Sequence, residues 1–540
     1  MPFRYTLPQA LTRSSTWIAI VFFVLLLVTG LRSFRDYGIP YDEGTMDQLG
    51  GEAYHYVFHG QPWPKEDERR FHGTTVDLPI YMLIRAMGSL DPLQALSVRH
   101  ASIFAIFFAG VLAFFFVAKR CTGDGRLAIA GCAMLVLSPR VFAHAFYNSR
   151  DIPTLALFTI AMLTLLRLLE RPSFPRALTH AFACALLIGL RMIGIILPAF
   201  TLFFLALEAL TRRKGIPRTL SIASLYLTAT CMMTVAVWPF LWEDPLTHFL
   251  QAFRHMSSQE AAVFYMGQTY ATAPWHYIFV WIAITTPVLY TLLFLAGTAF
   301  LFADIIRRPL HYSPDRRKKI LSLLWFFGPV GTVILLQSGI FQEWRQMLFV
   351  YPGFLLIALY GIQGILWVTD TRLQEIRRIG RAALLGGIVL QMTSTGFWMV
   401  RHHPFQNVYY VLPSRLVHGN FDLDYWGLSY RQAVQYILET DKSDAISYYS
   451  PHRIAFVNGR IFFPGDRKRL FPVRLPQFAQ YVVDGYRPGG TLFPHLPKLH
   501  AITVDGLDIV TVYRGSFDPA QADLSTIEAL RREAAEAGAK

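Results

Sequence analysis

Two adjacent carboxylates, Asp42 and Glu43, are the residues of the sequence best suited to chemistry. They lie in residues 39–44, directly after the first long apolar run, so we expect them at a membrane surface. Partial loss of water there raises the pKa of a carboxyl group and improves it as a general base. The structural alternative is that Asp42 caps a helix that begins around Thr45. Tyr41, beside the pair, is a candidate substrate contact.

A second set of candidates lies in residues 144–153, between two apolar runs. His144, Asn148, Arg150 and Asp151 are concentrated there in what is predicted to be a tight turn. Asp151 precedes Ile-Pro and would also serve as the N-cap of the next helix. Asn148 and Arg150 have no comparable structural explanation, so the turn is predicted to contact substrate.

Three arginines stand near the ends of apolar runs: Arg191, Arg254 and Arg345. A guanidinium at membrane depth is costly and needs an anionic partner. A lipid phosphate would be such a partner, because arginine can fork two hydrogen bonds onto it. The alternative is that each side chain extends to the headgroups without a specific role.

Residues 241–277 mix aromatic, histidine and amide side chains. Residues 247–257 are predicted to form an interfacial amphipathic helix that covers a lipid-facing cavity. Trp275 and His276, at the end of this stretch, are further candidates for substrate binding.

Composition indicates which elements must position these residues. Of 540 residues, 53% are hydrophobic and only 16% are charged, and the mean hydropathy is +0.35. So few charges could not cover several soluble domains, and disordered chains are far more polar. The net charge of +14 comes largely from short basic clusters between apolar runs. That distribution is typical of cytoplasmic loops and not of a nucleic-acid surface.

The apolar runs predict about eleven transmembrane helices with the N-terminus in the cytoplasm. The runs are 17–31, 100–118, 127–142, 152–169, 177–191, 193–210, 219–240, 275–303, 321–339, 346–368 and 382–400. We therefore predict a transmembrane domain over residues 1–400, with an external loop at 32–98. The protein would lie in a plasma membrane, the inner membrane of a bacterium.

Residues 401–540 are predicted to be a small soluble α/β domain on the external, periplasmic side. A helix is expected at 428–439, and a polar helix near 519–538 would close the domain. Short apolar runs between turn residues predict strands at 445–449, 454–457, 501–504 and 509–513.

Sequence motifs for nucleotides and metals are absent. The chain has no GxxxxGK[ST], no HExxH and no zinc-type spacing of Cys and His. Its four cysteines lie outside the predicted external segments, so we predict neither a disulfide framework nor a metal site.

Taken together, these residues resemble the GT-C superfamily of polyprenyl-phosphate-sugar-dependent glycosyltransferases. The likeness is greatest to bacterial relatives of protein O-mannosyltransferases and of the lipid A aminoarabinose transferase, and it covers about residues 20–430. It is carried, in order along the chain, by residues 41–43, 148–153, 238–245, 274–277, 344–345, 403–410 and 424–430. The tail beyond residue 430 does not match external domains of that superfamily.

The resemblance implies a hexosyl or pentosyl transferase that uses a polyprenyl-phosphate-linked sugar, with a hydroxyl of a glycan, lipid or protein as acceptor. Asp42, helped or replaced by Glu43, would take the acceptor's proton, and the reaction would invert the anomeric carbon. Arg345, with Arg191 or Arg254 as alternates, would offset the charge on the phosphate. No cofactor is implied, although other members of the superfamily use a divalent ion. The expected partners are the lipid-linked donor, the acceptor and the surrounding membrane lipids, and nucleic acid is not expected to bind.

Two other functions fit parts of the sequence. A transporter or flippase of lipid-linked sugars would share the lipid-facing cavity and the basic residues, but it would not need two external carboxylates. A membrane-anchored assembly protein would act through its tail and would tolerate substitution of the carboxylates.

Overall fold

The computed structural model describes residues 10–64, 66–212, 216–258, 262–307, 312–370, 374–466, 469–485 and 493–518. These residues form a mainly helical protein with a small sheet towards the C-terminal end. The helices are α1 (Ala10–Ser33), α2 (Glu43–His59), α3 (Asp77–Ala86), α4 (Pro92–Thr122), α5 (Gly125–Val136), α6 (Pro139–Tyr147), α7 (Asp151–Glu170), α8 (Phe174–Ile188), α9 (Ile196–Arg212), α10 (Ile216–Val237), α11 (Pro245–Ser257), α12 (Tyr277–Thr285), α13 (Val288–Arg307), α14 (Pro314–Leu335), α15 (Tyr351–Asp370), α16 (Gln374–Arg401), α17 (Ser414–Val417), α18 (Tyr430–Thr440) and α19 (Arg453–Phe462). The strands are β1 (Val263–Tyr265), β2 (Gln268–Tyr270), β3 (Ile446–Tyr449), β4 (Leu470–Pro472), β5 (Tyr481–Gly485), β6 (Lys498–Val504) and β7 (Leu507–Arg514).

The chain is a multi-pass membrane protein. Within the described ranges, nine helical segments are long and apolar enough to cross a bilayer, and the bent pair α5 and α6 gives up to ten. The pair is bent by 70°, where Ser138 precedes Pro139 and proline disfavours helical backbone before it. The apolar helix α8 has only 15 residues, and it accounts for the difference from the predicted eleven. The run at 275–303 is not one helix, because Pro287 separates α12 from α13.

Helices α7 and α15 form the centre of the bundle. In both spans 83% of the apolar window is buried, against 17% for α1 and 11% for α16, which lie at the periphery. Beside the centre, α13 packs closely on α15 through glycine. A Cβ at Gly297 would come within 1.9 Å of the Ile357 carbonyl oxygen, so this helix contact requires a small residue.

The basic cluster at the start of α14 lies at the end of the bundle that holds the C-terminus of α7. Arg317 Nη1 is paired with Glu208 and also donates to the carbonyl of Leu169, near the C-terminus of α7. The N-terminus of α7, Asp151, lies about 30 Å away at a rise of about 1.5 Å per residue. This basic cluster and the predicted functional residues around Asp151 therefore lie at opposite ends of the bundle.

The C-terminal sheet has five strands in the order β4-β3-β5-β7-β6. Strand β3 pairs in parallel with β4 and β5, while β7 is antiparallel to β5 and β6. The strands expected at 445–449, 501–504 and 509–513 and the helix at 428–439 are confirmed, with slightly different bounds.

The strand predicted at 454–457 is wrong, because this segment belongs to helix α19. Its buried residues Ile454, Ala455, Asn458 and Gly459 follow a helical spacing that four apolar residues alone do not reveal. The helix predicted near 519–538 lies outside the described residues.

Candidate functional site

The loop before α2 positions Asp42. Its backbone is held on both sides: Tyr41 N donates to the Trp426 carbonyl at 3.1 Å, and Ile39 N donates to Asn458 Oδ1 at 3.0 Å. Asp42 occupies the N-cap position of α2, but its side chain makes no capping hydrogen bond. The helix begins at Glu43, two residues earlier than expected.

The Asp42 carboxylate faces Arg345. Arg345 Nη1 donates to Asp42 Oδ2 at 3.2 Å, and the side chain of Asp42 is 37% exposed while that of Arg345 is 9% exposed. Asp42 is thus the accessible member of a pair whose cation is buried. The structure therefore favours an interaction outside the helix over the capping role.

Glu43 points to a different arginine. Its Oε1 lies 2.8 Å from Arg99 Nε, and Arg99 also contacts Asp47 Oδ1 at 2.5 Å. Burial raises the pKa of Glu43 to about 7, although the positive charge of Arg99 opposes the shift. The raised carboxyl pKa expected at this surface is therefore found at Glu43.

Asp151 joins two arginines at the start of α7. Its side chain is fully buried, with Oδ1 2.5 Å from Arg191 Nη2 and Oδ2 3.8 Å from Arg345 Nη1. Asn148 Nδ2 donates to Asp151 Oδ2 at 2.8 Å. The predicted N-cap role of Asp151 is wrong, because Arg150 occupies that position. Asn148 Oδ1 instead accepts the backbone N–H of Asp151 at 2.8 Å. We call Asp42, Asp151, Arg191 and Arg345 the arginine–carboxylate cluster.

The loop that carries Arg345 is fixed by a second buried ion pair. Arg140 Nη1 lies 2.7 Å from Glu343 Oε1, and both side chains are almost fully buried. Glu343 has a φ of +64°, a left-handed backbone that is unfavourable for this residue type. The face of Trp426 then lies 4.7 Å from the Arg345 guanidinium, so the direction of Arg345 is set from two sides.

Two buried donors remain in the cluster. Arg345 Nε and Arg191 Nε have no hydrogen-bond partner among the described residues. A buried donor without a partner is costly, and phosphate oxygens are strong acceptors for guanidinium N–H groups. The cluster therefore offers donors for an anion beside the partly exposed carboxylate of Asp42.

The rest of the turn at 144–151 has mainly structural contacts. Arg150 Nη1 donates to the carbonyls of Gly73 at 2.7 Å and Leu190 at 3.2 Å. His144 Nδ1 lies 2.9 Å from Asn148 Nδ2, and both residues are buried. The structure brings all four predicted residues of this turn together, but Arg150 Nη1 donates to neighbouring loops and not to the cluster.

Three predicted residues lie elsewhere. Arg254 is exposed on α11, the helix that forms as expected, and no contact with the cluster is found for it among the described residues. Trp275, 68% exposed, lines a separate cavity of about 310 Å³. His276 Nδ1 lies 2.9 Å from the Tyr265 hydroxyl. The side chain of Tyr41 is half-exposed at the edge of the cluster.

Sequence reasoning missed Arg99, Asp47 and Asp77. Arg99 stands at the start of an apolar run, so the cost of burying its charge was a usable signal. Asp77 is fully buried, and neither carboxylate oxygen has a hydrogen-bond partner within the described ranges. Its nearest cation is Arg150, at 3.5 Å, and burial raises its pKa. Nothing in the sequence marks Asp77 as a buried carboxylate.

No group of three or more His, Cys, Asp or Glu side chains in the described part of the chain is arranged to hold a metal ion.

Comparison with known proteins finds similarity only at the level of structure. No family model matches the sequence, and no curated protein matches it. Among solved structures, ArnT from Cupriavidus metallidurans, in the apo state, aligns over 92% of this chain and 98% of its own, with 14% identity and a TM-score of 0.46.

An oligosaccharyltransferase from Archaeoglobus fulgidus is also similar. One structure of it, tethered to an acceptor peptide, aligns over 88% of this chain and 69% of its own, with 10% identity and a TM-score of 0.48. Another, AglB in complex with an inhibitory peptide and a dolichol-phosphate, covers 87% of this chain and 69% of its own, with 12% identity and a TM-score of 0.44. At 14% identity or less, these likenesses concern the fold alone.

Proposed function

We propose that the chain is a GT-C-type glycosyltransferase that moves a sugar from a polyprenyl-phosphate carrier to an acceptor hydroxyl. The observation that carries the proposal is the pair of buried, unpartnered N–H groups on Arg345 and Arg191, next to the accessible carboxylate of Asp42. An anion site beside a base is what displacement of a lipid phosphate by a hydroxyl requires.

In this proposal the two arginines bind the donor phosphate. Arg345 Nε and Arg191 Nε donate to phosphate oxygens, while Asp151 keeps both guanidinium groups in place from behind. As the bond between the anomeric carbon and the phosphate oxygen breaks, negative charge grows on the leaving phosphate. Fixed positive charges stabilise that change more than they stabilise the bound donor.

Asp42 acts as the general base. Oδ2 faces Arg345, and Oδ1 has no hydrogen-bond partner among the described residues, so Oδ1 is free to accept the proton of the acceptor hydroxyl. The acceptor oxygen forms its bond to the anomeric carbon on the side opposite the phosphate, which inverts the configuration. Glu43 is the alternate base, and its pKa of about 7 suits that task.

The site is proposed to lie on the external side of a plasma membrane, the inner membrane if the cell is bacterial. The N-terminus would then be cytoplasmic and the C-terminal sheet region external. The separation of the basic clusters from the arginine–carboxylate cluster by the length of α7 supports this orientation, because basic loops favour the cytoplasm.

The test is donor consumption by the purified protein. The wild-type protein is mixed with polyprenyl-phosphate-linked sugars and acceptor membranes extracted from the host, and mass spectrometry follows the loss of each lipid-linked sugar. Asp42→Asn should lower the rate by roughly 10²–10⁴-fold. Glu52→Gln is the matched control, because Glu52 lies on the same helix but pairs with Arg69, outside the cluster.

Near-wild-type transfer by Asp42→Asn would remove Asp42 from the role of base. If Glu43 is the base instead, Glu43→Gln abolishes transfer and the wild-type rate rises through about pH 7. Wild-type protein that moves the lipid-linked sugar across vesicles without consuming it would favour the flippase.

A further inference from the structure

A charged cavity lies at the end of α7 that is farthest from Asp151. It has a volume of about 470 Å³, within the range of small-ligand sites. It opens between the ends of α4 and α7 and the start of α8. Four arginines and a single carboxylate contribute to its lining, namely Arg120, Arg167, Arg171, Arg176 and Glu170. We call it the basic cavity.

The charges around the basic cavity are not balanced. Arg120 Nε lies 3.7 Å from Glu170 Oε2, but in the described ranges no carboxylate pairs with Arg167, Arg171 or Arg176. Arg176 Nη1 donates at 3.0 Å to the carbonyls of residues 167 and 171, and so caps the C-terminus of α7. The cavity therefore holds an excess of positive charge, which favours an anion.

Two other cations at this end of the bundle are neutralised by carboxylates. Arg317 pairs with Glu208, and Lys319 Nζ lies 3.0 Å from Asp304 Oδ2. Orientation of the protein by basic loops does not require four arginines around one cavity. The placement of these four arginines around one cavity with a single carboxylate thus favours an anionic ligand.

An apolar stripe leads away from the cavity along α8. Phe174, Leu178 and Phe182 are exposed, at 49%, 38% and 49%, and their spacing of four residues places them on one face of the helix. Acyl chains fit such a stripe, whereas a soluble phosphate compound would gain nothing from it. The length of α7, about 30 Å, also matches the hydrocarbon thickness of a bilayer, so the cavity lies at headgroup level.

We propose that the basic cavity binds the phosphate of an anionic phospholipid, whose acyl chains follow the apolar face of α8. The lipid would bind at the membrane surface opposite the arginine–carboxylate cluster. Arg167 and Arg171, both exposed, would donate to the phosphate, while Arg176 is already engaged with α7. This site is independent of the proposed transfer reaction.

The test is lipid retention by the full-length protein, measured by native mass spectrometry after reconstitution with equal amounts of dioleoyl phosphatidylglycerol and dioleoyl phosphatidylcholine. Wild-type protein should retain phosphatidylglycerol preferentially. Arg167→Gln/Arg171→Gln should weaken that retention by roughly 30-fold, at about fivefold per arginine near a membrane surface. The control is Arg218→Gln/Arg307→Gln, which removes two exposed charges at the same end of the bundle and outside the cavity. The control should stay within about twofold of wild type, as surface charges away from a binding site contribute little.

An equal loss in both double variants would show a diffuse effect of charge and overturn the site. Equal retention of the two lipids by wild type would do the same. A further arm adds inorganic pyrophosphate in place of lipid. Tight pyrophosphate binding that is lost in Arg167→Gln/Arg171→Gln, without lipid preference, would assign the cavity to a soluble phosphate compound and contradict the lipid proposal.

Discussion

Substitution of Asp151 and of Asp42 should distinguish a carboxylate that stabilises the fold from one that acts in the reaction. Asp151 is fully buried and faces two guanidinium groups, at 2.5 Å and 3.8 Å. Asp151→Asn removes the negative charge and leaves both arginines without their shared partner. Breaking a buried ion pair in this way costs about 3–5 kcal/mol. Asp42, at 37% exposure, contacts Arg345 in a pair that solvent screens on one side. Asp42→Asn should therefore cost at most about 1 kcal/mol.

The assay is unfolding of the purified protein in detergent, followed by tryptophan fluorescence, beside the transfer assay on the same samples. Asp151→Asn should be clearly destabilised, and Asp42→Asn should unfold like wild type while losing transfer. The double variant Asp151→Asn/Arg191→Gln should be more stable than Asp151→Asn alone, because it removes a buried charge that has lost its partner. Equal stability of Asp151→Asn and wild type would refute the reasoning, as would equal destabilisation by the two single asparagine variants.

Arg345, Glu43 and Gly297 each give a further prediction. Arg345→Ala should reduce donor use more than Arg345→Lys, because lysine keeps the positive charge and loses only the paired hydrogen bonds of the guanidinium. Equal, small effects of the two substitutions in steady-state kinetics would favour an arginine that merely extends to the headgroups. The pKa of Glu43 is raised in the folded protein to about 7, so its contribution to stability is present below its unfolded pKa and is lost as pH rises through about 7. Relative to Glu43→Gln, wild type should lose roughly 3 kcal/mol of stability between pH 5 and 8, and parallel pH profiles of the two proteins would contradict the raised pKa. Gly297→Val places Cβ 1.9 Å from the Ile357 carbonyl oxygen and should lower the unfolding temperature. Gly386→Ala is the control and should not lower it, because no atom lies within 4 Å of a Cβ at that position. Equal melting curves of the two variants would argue against the close contact of α13 and α15.

The residues of the arginine–carboxylate cluster could be predicted because a charged side chain next to an apolar run is energetically unfavourable without a partner. Asp42, Asp151, Arg191 and Arg345 each place a charge next to an apolar run, and such a charge needs a partner. What the sequence could not supply was the pairing. Arg345 and Asp42 are 303 positions apart, and only the packed bundle decides that Arg345 meets Asp42 while Glu43 meets a different arginine.

Errors in the predicted fold have equally local causes. Residues 454–457 were predicted to be a strand because four apolar residues fit the periodicity of a strand and of a helix equally well. The buried positions further along α19 show that the segment is helical. The run at 275–303 was long enough for one span, and Pro287 divides it. Arg254 shared its residue type and its place near an apolar run with the other two arginines, but α11 leaves it at the surface.

The most direct measurement of the central claim is mass spectrometry of lipid-linked sugars and external glycans from cells that carry either the wild-type chain or Asp42→Asn. We predict that one polyprenyl-phosphate-linked sugar accumulates with Asp42→Asn and that one external glycan, lipid or protein loses the same sugar. Identical pools of lipid-linked sugar and identical glycans in the two strains would contradict the assignment of this chain as a glycosyltransferase.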